Sequence, residues 1–217
     1  MSTQCVLFDL DGTFADTAPD LHYALDQVLI SQGRAPLAYE KVRPAASHGS
    51  RAMLKVAFGL EPEDQGFSTL QRQFLEIYQA NIAGRTRLFP GMQALLDALE
   101  RRLIPWGIVT NKPSRLTEPL LDSLGLTARA ACVVSGDTTA YAKPHPEPIL
   151  HACRLAGIEP AQALYVGDAQ RDIEAGRRAG TRTLVALFGY LGSEDKPETW
   201  QADGSVAHPL DILQWLN

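Results

Sequence analysis

The sequence predicts an α/β protein with a parallel β-sheet covered by helices on both faces and a helical insertion after the first strand. Two observations predict the sheet: short apolar runs of strand length recur along the chain, and the segments between them carry apolar residues at helical spacing. A third observation predicts the insertion, because no candidate strand lies between Phe8 and Trp106. That gap is too long for one crossover helix.

Five apolar runs are the candidate strands. They are Cys5–Phe8, Trp106–Val109, Ala131–Val134, Ala163–Val166 and Thr183–Leu187. Between the last four, apolar residues recur three or four positions apart, which is the spacing of one helix face. Gly125, Gly157 and Gly180 follow three of these helical segments, where a helix end favours a residue that accepts positive φ. Strand and helix in alternation predict a parallel sheet with crossover helices.

Residues 14–85 carry only helical patterns. The predicted helices there are Pro19–Gln32, Ser50–Phe58 and Phe67–Ile82. The economical interpretation is a helical domain inserted just after the first strand. We therefore predict one domain formed by residues 1–13 and 86–217, and an all-helical domain formed by residues 14–85.

The formal net charge of -5 limits the classes of partner. Nucleic acid and anionic membranes are bound by clustered Lys and Arg, so an acidic chain argues against both as main partners. No apolar stretch approaches the roughly 20 residues that a bilayer-spanning helix needs. The segment Met1–Cys5 has no basic region, and Asp9 and Asp11 break the apolar run after it, which is not typical of a signal peptide.

Three cysteines, Cys5, Cys132 and Cys153, lie in segments that we predict to be buried strands or helices. Their odd number and their positions favour reduced core thiols over disulfides or metal ligands. We therefore expect a cytoplasmic protein. The sequence predicts no oligomeric state.

Polar side chains gather just after the predicted strands. They are Asp9 and Asp11 after the first strand, Thr110, Asn111 and Lys112 after the second, and Asp168 and Asp172 after Ala163–Val166, with Lys143 in the loop Ala142–Pro144. In open α/β sheets, ligands bind at the carboxyl ends of the strands. We therefore expect these side chains to converge at one edge of the sheet.

Each of these residues alone has an ordinary structural explanation. An Asp after a strand commonly caps a helix or forms a turn, Thr110 could cap the helix after Pro113, and Lys143 could be a solvated surface charge. Together, however, four carboxylates would repel one another unless a cation lay among them. Carboxylate oxygens without nearby His or Cys favour Mg²⁺ over Zn²⁺, and a Lys and a hydroxyl beside that metal suit a phosphoryl dianion.

Four segments resemble, in chain order, the four motifs of the haloacid-dehalogenase-like phosphatases. They are Asp9–Thr13, Thr110, Lys143-Pro144, and Gly167-Asp168 with Asp172. The helical insertion resembles the first-type cap of that family. The resemblance spans essentially the whole chain, and its one small departure is Phe14, where Leu is usual. It implies a Rossmann-like parallel sheet as the catalytic core and an inserted all-helical cap that carries substrate specificity.

The resemblance also implies a role for each motif residue. Asp9 would attack phosphorus and form an aspartyl-phosphate, while Asp11 would protonate the leaving alcohol and later deprotonate water. Mg²⁺ would be held by Asp9, the backbone carbonyl of Asp11 and Asp168, with Asp172 supporting its water shell. The expected phosphate-binding residues are Gly12, Thr13, Thr110, the Asn111 amide and Lys143. The metal-free dehalogenases of the family have no acid at the position of Asp11, and its ion-pumping ATPases have a Thr there.

The segment Ser47–Arg51 has two interpretations that the sequence leaves open. It is either a solvated turn with Ser47 or Ser50 as an N-cap, or a substrate loop in which Arg51 and His48 bind a carboxylate. The chain resembles phosphoglycolate phosphatases broadly. Three segments, Gly49–Met53, Gly189–Asp203 and His208–Leu210, resemble N-acetylmuramic acid 6-phosphate phosphatases more closely. We expect a small phosphorylated metabolite that carries a carboxylate, and 2-phosphoglycolate and N-acetylmuramic acid 6-phosphate both fit.

Two other classes of protein share parts of this pattern. An isomerase resembling β-phosphoglucomutase would use Asp9 and Asp11 but return the phosphoryl group to the sugar. A receiver-type signalling module, which is not an enzyme, also places carboxylates, Thr and Lys around Mg²⁺. Receivers, however, carry the phosphorylated Asp on a middle strand and lack a helical insertion of this length.

Overall fold

The computed structural model describes residues 2–216, and the chain is built around a parallel sheet. Its strands are β1 (Cys5–Phe8), β2 (Ala15–Asp16), β3 (Arg87–Leu88), β4 (Trp106–Val109), β5 (Cys132–Val134), β6 (Ala163–Gly167), β7 (Arg182–Ala186) and β8 (Gly204–Val206). Six of them form one sheet in the order β5-β4-β1-β6-β7-β8, and every neighbouring pair is parallel. The strand β1 therefore lies between β4 and β6, with its carboxyl end at the middle of the sheet edge.

Helices cover both faces of this sheet. The helices are α1 (Ala18–Ser31), α2 (Tyr39–Val42), α3 (Gly49–Phe58), α4 (Phe67–Ala80), α5 (Met92–Arg101), α6 (Ser114–Ser123), α7 (Glu147–Ala156) and α8 (Gln170–Ala179). Alternate residues of β1 point to opposite faces, so Val6 and Phe8 pack with α5 and α6, whereas Cys5 and Leu7 pack with α7 and α8. All four residues are fully buried, as a doubly covered parallel sheet requires. The predicted fold class is confirmed.

The five predicted strands are present, with ends that differ by at most one residue. Three short strands were not predicted. The strand β8 has one apolar residue, Val206, and therefore no recognisable apolar run. The expectation that no strand lies between Phe8 and Trp106 is wrong, since β2 and β3 pair antiparallel through Ala15 with Leu88 and Asp16 with Arg87. Two-residue strands are too short to leave a periodic pattern in the sequence.

The helices α1 to α4 pack mainly on one another and form their own hydrophobic cluster. The three predicted helices of this segment are confirmed within two residues at each end, but α2 and a 3₁₀ helix, Arg43–His48, were not predicted. The 3₁₀ helix ends where α3 begins, so Ser50 and Arg51 lie in the first turn of α3 and not in a loop. The proposed N-caps are wrong as well, because His48 holds the N-cap position and makes no capping hydrogen bond with its side chain.

The three cysteines are free and buried, as the sequence predicted. Burial raises the pKa of the Cys5 and Cys132 thiols to about 12, so both are uncharged at neutral pH. Among residues 2–216, no helix combines the length and the apolar character that a membrane span requires.

Candidate active site

The carboxyl end of β1 places Asp9 at the centre of the sheet edge, where its side chain is almost completely buried. The chain then turns back at Gly12, which has a φ of +85°. A Cβ atom on this residue would overlap the carboxylate of Asp168 and the ring of Tyr190. Only glycine permits both the backbone conformation and the close approach of the Asp168 carboxylate. The neighbouring Thr13 donates a hydrogen bond of 3.3 Å to that carboxylate.

Lys143 is fully buried and lies between two carboxylates, so the alternative of a solvated surface charge is wrong. Its Nζ is 2.8 Å from Asp9 Oδ1 and 2.7 Å from Asp172 Oδ1. The same ammonium donates to the backbone carbonyl of Val109 at 2.8 Å and to the Tyr165 hydroxyl at 2.7 Å. A buried cation is tolerated here because acceptors surround it.

Asp9, Asp168 and Asp172 form a compact group in which one carboxylate oxygen from each lies within 4.8 Å of the others. Burial, together with the charges of Asp9 and Asp172, raises the pKa of Asp168 to about 7. Burial alone would also raise the pKa of Asp172, but Lys143 and Arg171 outweigh it and lower that pKa. Buried all-oxygen donors whose negative charges repel one another fit a hard divalent cation such as Mg²⁺.

The carboxylate of Asp11 points away from this group and toward a lysine that the sequence analysis gave no role. Lys112 Nζ lies 2.7 Å from Oδ1 and 3.0 Å from Oδ2 of Asp11, and the Thr17 hydroxyl also donates to Oδ1. The Lys112 ammonium is 4.8 Å from the centre of the Tyr78 ring, within the range of a cation–π contact. The only sequence signal for Lys112 was its position directly after Thr110 and Asn111.

Thr110 and Asn111 follow β4 and reach the same edge of the sheet. Thr110 is buried, and its hydroxyl accepts a hydrogen bond of 3.1 Å from the backbone N–H of Lys112. It does not cap α6, whose N-cap position is held by Pro113. The side chain of Asn111 exchanges two hydrogen bonds of 2.9 Å with the backbone of Lys143. That side chain therefore positions Lys143, and a phosphate contact through the Asn111 backbone amide stays a prediction.

A cavity of about 390 Å³ opens beside Asp9 and Asp11. We call its two sides the core wall and the helical wall. The core wall includes Asp9, Asp11, Thr110, Lys112, Leu116 and Arg171, and the helical wall includes Ser47, His48, Arg51, Phe74, Leu75 and Tyr78. Substrate discrimination was expected from residues 14–85 alone, but Lys112, Leu116 and Arg171 bring core side chains into the same cavity.

The two predicted carboxylate-binding residues differ in their surroundings. Arg51 is exposed, and it makes no ion pair with any residue in the described range 2–216. The Nδ1 atom of His48 lies 2.9 Å from Nη1 of Arg171, and burial and the Arg171 charge both lower the pKa of His48. A neutral His48 that already accepts from Arg171 is poorly suited to pair with a carboxylate, whereas Arg51 keeps its donors.

Comparison with known proteins identifies the class to which this fold and site belong. Residues 6–186 match the family model described as haloacid dehalogenase-like hydrolase, and the chain belongs to this family. It is 44% identical to a Pseudomonas putida N-acetylmuramic acid 6-phosphate phosphatase over 217 residues, which cover 100% of this chain and 97% of the relative. It is 45% identical to a Xylella fastidiosa phosphoglycolate phosphatase over 204 residues, which cover 94% of this chain and 89% of the relative.

Both relatives are phosphatases, and this chain is a phosphoric monoester hydrolase. A solved structure described as a predicted phosphoglycolate phosphatase from Haemophilus somnus matches the fold with a TM-score of 0.87. That comparison covers 100% of this chain and 99% of the other, at 27% sequence identity. The sequence resemblance to haloacid-dehalogenase-like phosphatases is therefore confirmed.

Proposed function

We propose that the chain is a magnesium-dependent phosphatase that hydrolyses its substrate through an aspartyl-phosphate on Asp9. The observation that carries this proposal is the placement of Asp9 at the end of the central strand, beside both the cavity and the group formed with Asp168 and Asp172. This arrangement supports the proposal because it would put a nucleophile, a cation site and room for a substrate next to one another.

The charge balance of the site supports the metal requirement. The site gathers four carboxylates and three cationic side chains: Asp9, Asp11, Asp168 and Asp172, with Lys112, Lys143 and Arg171. A phosphate dianion would add to the negative excess. Asp9, the backbone carbonyl of Asp11 and Asp168 would hold Mg²⁺, with Asp172 supporting its water shell, and the metal would neutralise charge on the phosphoryl oxygens.

The proposed reaction has two steps. In the first, a carboxylate oxygen of Asp9 bonds to phosphorus while the ester P–O bond breaks, and Asp11, which must enter this step protonated, gives its proton to the departing alkoxide oxygen. In the second, water attacks the phosphoryl group, Asp11 takes its proton, and inorganic phosphate leaves Asp9. Thr110, Lys143 and backbone amides near Asn111 and in the Gly12-Thr13 turn would bind the phosphoryl oxygens.

We propose the domain division expected from the sequence, with residues 1–13 and 86–217 as the catalytic core and residues 14–85 as the cap. Two largely separate hydrophobic clusters support it, since one is centred on the sheet and the other on α1, α3 and α4. Residues in the segments 46–51 and 71–78 of the proposed cap line the cavity beside Asp9 and Asp11, so the cap would exclude water and contact the leaving group.

We propose N-acetylmuramic acid 6-phosphate as the preferred substrate, with 2-phosphoglycolate as the second candidate. The cavity of about 390 Å³ suits a ligand larger than a two-carbon acid, since pockets for drug-sized molecules begin near 300 Å³. The apolar side chains of Phe74, Leu75 and Leu116 suit a sugar face and a lactyl methyl group. Arg51 would pair with the carboxylate that both candidates carry.

The test is phosphate release from a panel of both acids, N-acetylglucosamine 6-phosphate and p-nitrophenyl phosphate, before and after EDTA treatment. We expect EDTA to abolish turnover, added Mg²⁺ to restore it, and kcat/KM to be highest for N-acetylmuramic acid 6-phosphate. Full turnover without a divalent cation would contradict the proposed mechanism. Conversion of a sugar phosphate to its isomer without phosphate release would support the β-phosphoglucomutase-like alternative instead.

A further inference from the structure

Arg171 belongs to the core helix α8, yet its guanidinium reaches across to the last residues of the 3₁₀ helix, the segment directly before α3. Its Nη2 donates to the backbone carbonyl of Ser47 at 2.7 Å, and its Nη1 lies 2.9 Å from Nδ1 of His48. One planar side chain therefore contacts two consecutive residues of the helical wall. Both contacts span more than 120 positions in sequence, so no local pattern predicted them.

The same segment has a second attachment to the core. The Ser47 hydroxyl donates to Asp168 Oδ2 at 2.6 Å and lies 3.4 Å from the backbone oxygen of Asp11. Immediately after it, Gly49 has a φ of +72°, and a Cβ atom there would meet no heavy atom within 4 Å. The chain is thus attached before Gly49 and loosely packed at Gly49, and α3 with Arg51 follows directly.

We propose that Arg171 is a positioning residue that determines substrate specificity, an inference that rests on the proposed function. Its forked guanidinium locks Ser47 and His48 against the core and so fixes the start of α3, including Arg51, beside the substrate's leaving group. The forked guanidinium can make the contacts with Ser47 and His48 at the same time. The single ammonium of a lysine cannot make both in that geometry. Arg171 thereby acts on recognition through the helical wall.

A simpler role for Arg171 would be charge compensation, because its cation also lies near Asp9, Asp168 and Asp172. Arg171→Lys separates the two roles, since it keeps the charge but removes the fork. Arg171→Ala removes both. Arg177→Lys is the matched control, because Arg177 is exposed on the same helix and lies outside the cavity lining.

The experiment compares kcat and KM of these variants on N-acetylmuramic acid 6-phosphate, 2-phosphoglycolate and p-nitrophenyl phosphate, with Mg²⁺ present. We expect Arg171→Lys to lower kcat/KM about tenfold or more on the better of the two acids, mainly through KM, and to stay within about threefold of wild type on p-nitrophenyl phosphate. Arg177→Lys should match wild type on all three. Wild-type kinetics in Arg171→Lys, or equal losses on every substrate, would overturn the proposal.

Hydrogen exchange of the backbone amides in residues 43–51 gives a readout that needs no substrate. We expect faster exchange there in Arg171→Lys than in wild type or Arg177→Lys. Unchanged exchange would contradict the proposal that Arg171 holds this segment against the core. If wild type releases phosphate from none of the panel, the proposed function fails, while hydrogen exchange still decides the role of Arg171. A double variant with His48→Ala should be no worse than Arg171→Ala alone, and additive losses would also count against the proposal.

Discussion

The two walls of the cavity are built on different principles. On the core wall and directly behind it, charged side chains are buried or half-buried and paired, as in the contacts of Lys143 with Asp9 and of Lys112 with Asp11. On the helical wall, Arg51 is exposed and the buried hydroxyl of Tyr78 has no hydrogen-bond partner within residues 2–216. The core wall therefore satisfies its charged groups within the protein. The helical wall pairs Ser47 and His48 with the core but leaves the Arg51 guanidinium without an ion pair and the Tyr78 hydroxyl without a hydrogen-bond partner among residues 2–216.

Under the proposed function, this difference separates chemistry from recognition. Paired charges hold their positions before any ligand arrives, which is what a transition state with developing charge requires. Polar groups without partners cost stability in the free protein and gain from a ligand that supplies the missing contact. We therefore expect changes to the paired charges of Asp9, Asp11, Lys112 and Lys143 to affect all substrates and folding. Changes at Arg51, or at Arg171, which contacts the helical wall, should affect particular substrates.

The largest effect is expected for Asp9→Asn, since an amide cannot serve as the nucleophile. Turnover of p-nitrophenyl phosphate and of the best acid in the panel should fall about 10⁴-fold or more. Turnover by Asp11→Asn should fall less, by about 10²–10⁴-fold, because this substitution removes only proton transfer. The measurement is steady-state phosphate release by protein whose fold is verified by circular dichroism. A near wild-type rate for Asp9→Asn would overturn the covalent mechanism.

The sequence predicted the core wall better than the helical wall, and the different construction of the two walls explains why. Asp9, Asp168 and Thr110 stand directly after strongly apolar runs, and the topology of a parallel sheet brings such positions together whatever the details of packing. Asn111 also reaches this edge, but its side chain binds the Lys143 backbone, which no motif spacing indicates.

The helical wall was harder to predict because its structure depends on contacts distant in sequence. The 3₁₀ helix before Gly49 has no apolar periodicity, and its end is held by Arg171 and Asp168 from the core. Arg171 itself stands next to Asp172, yet a charged residue in the first turn of a helix is usually solvated. The sequence therefore left open whether Ser47–Arg51 is a solvated turn or a substrate loop, and it did not indicate how this segment is held.

The second largest effect is expected in stability, for Lys143→Met. Removing this cation leaves Asp9 and Asp172 buried without their shared partner, which should lower the free energy of unfolding by about 3–5 kcal/mol. Urea denaturation in metal-free buffer measures the change. Lys55→Met is the control, since the exposed Lys55–Glu61 pair should contribute about 1 kcal/mol or less. Similar losses in the two variants would show that the Lys143 cluster does not stabilise the free protein.

A smaller and more selective effect is expected for Arg51→Ala. Loss of one arginine–carboxylate contact in a closed site should lower kcat/KM on the preferred acid about 10- to 150-fold, or about 1.5–3 kcal/mol. Turnover of p-nitrophenyl phosphate, which has no carboxylate, should change little. Lys55→Ala removes an equal charge one turn further along α3 and should affect neither substrate. Equal losses on the acid and on p-nitrophenyl phosphate would mean that Arg51 has a structural role.

The smallest effect is expected for Tyr78→Phe, and its sign is opposite to that of most substitutions in a core. The Tyr78 side chain packs in the hydrophobic cluster of helices α1, α3 and α4. Its buried hydroxyl faces the charges of Lys112 and Asp11 but has no hydrogen-bond partner in the described part of the chain, and burial raises its pKa to about 12. Removing an unsatisfied hydroxyl while keeping the ring should stabilise the free protein by about 1 kcal/mol. For a chain of this size, that corresponds to a rise in Tm of about 2–4 °C.

Tyr190→Phe provides the opposite case within the same hydrophobic cluster. The Tyr190 hydroxyl accepts a hydrogen bond of 2.8 Å from the backbone N–H of Ala18 and donates one of 2.7 Å to Asp16. Its removal leaves both groups without that partner and should destabilise the protein by about 1–3 kcal/mol. Thermal unfolding of the two variants side by side therefore tests whether the hydrogen bonding of the hydroxyl decides if its removal raises or lowers Tm. If Tyr78→Phe lowers Tm as Tyr190→Phe does, the Tyr78 hydroxyl is already satisfied in the free protein, and the contrast between the two walls fails at this residue.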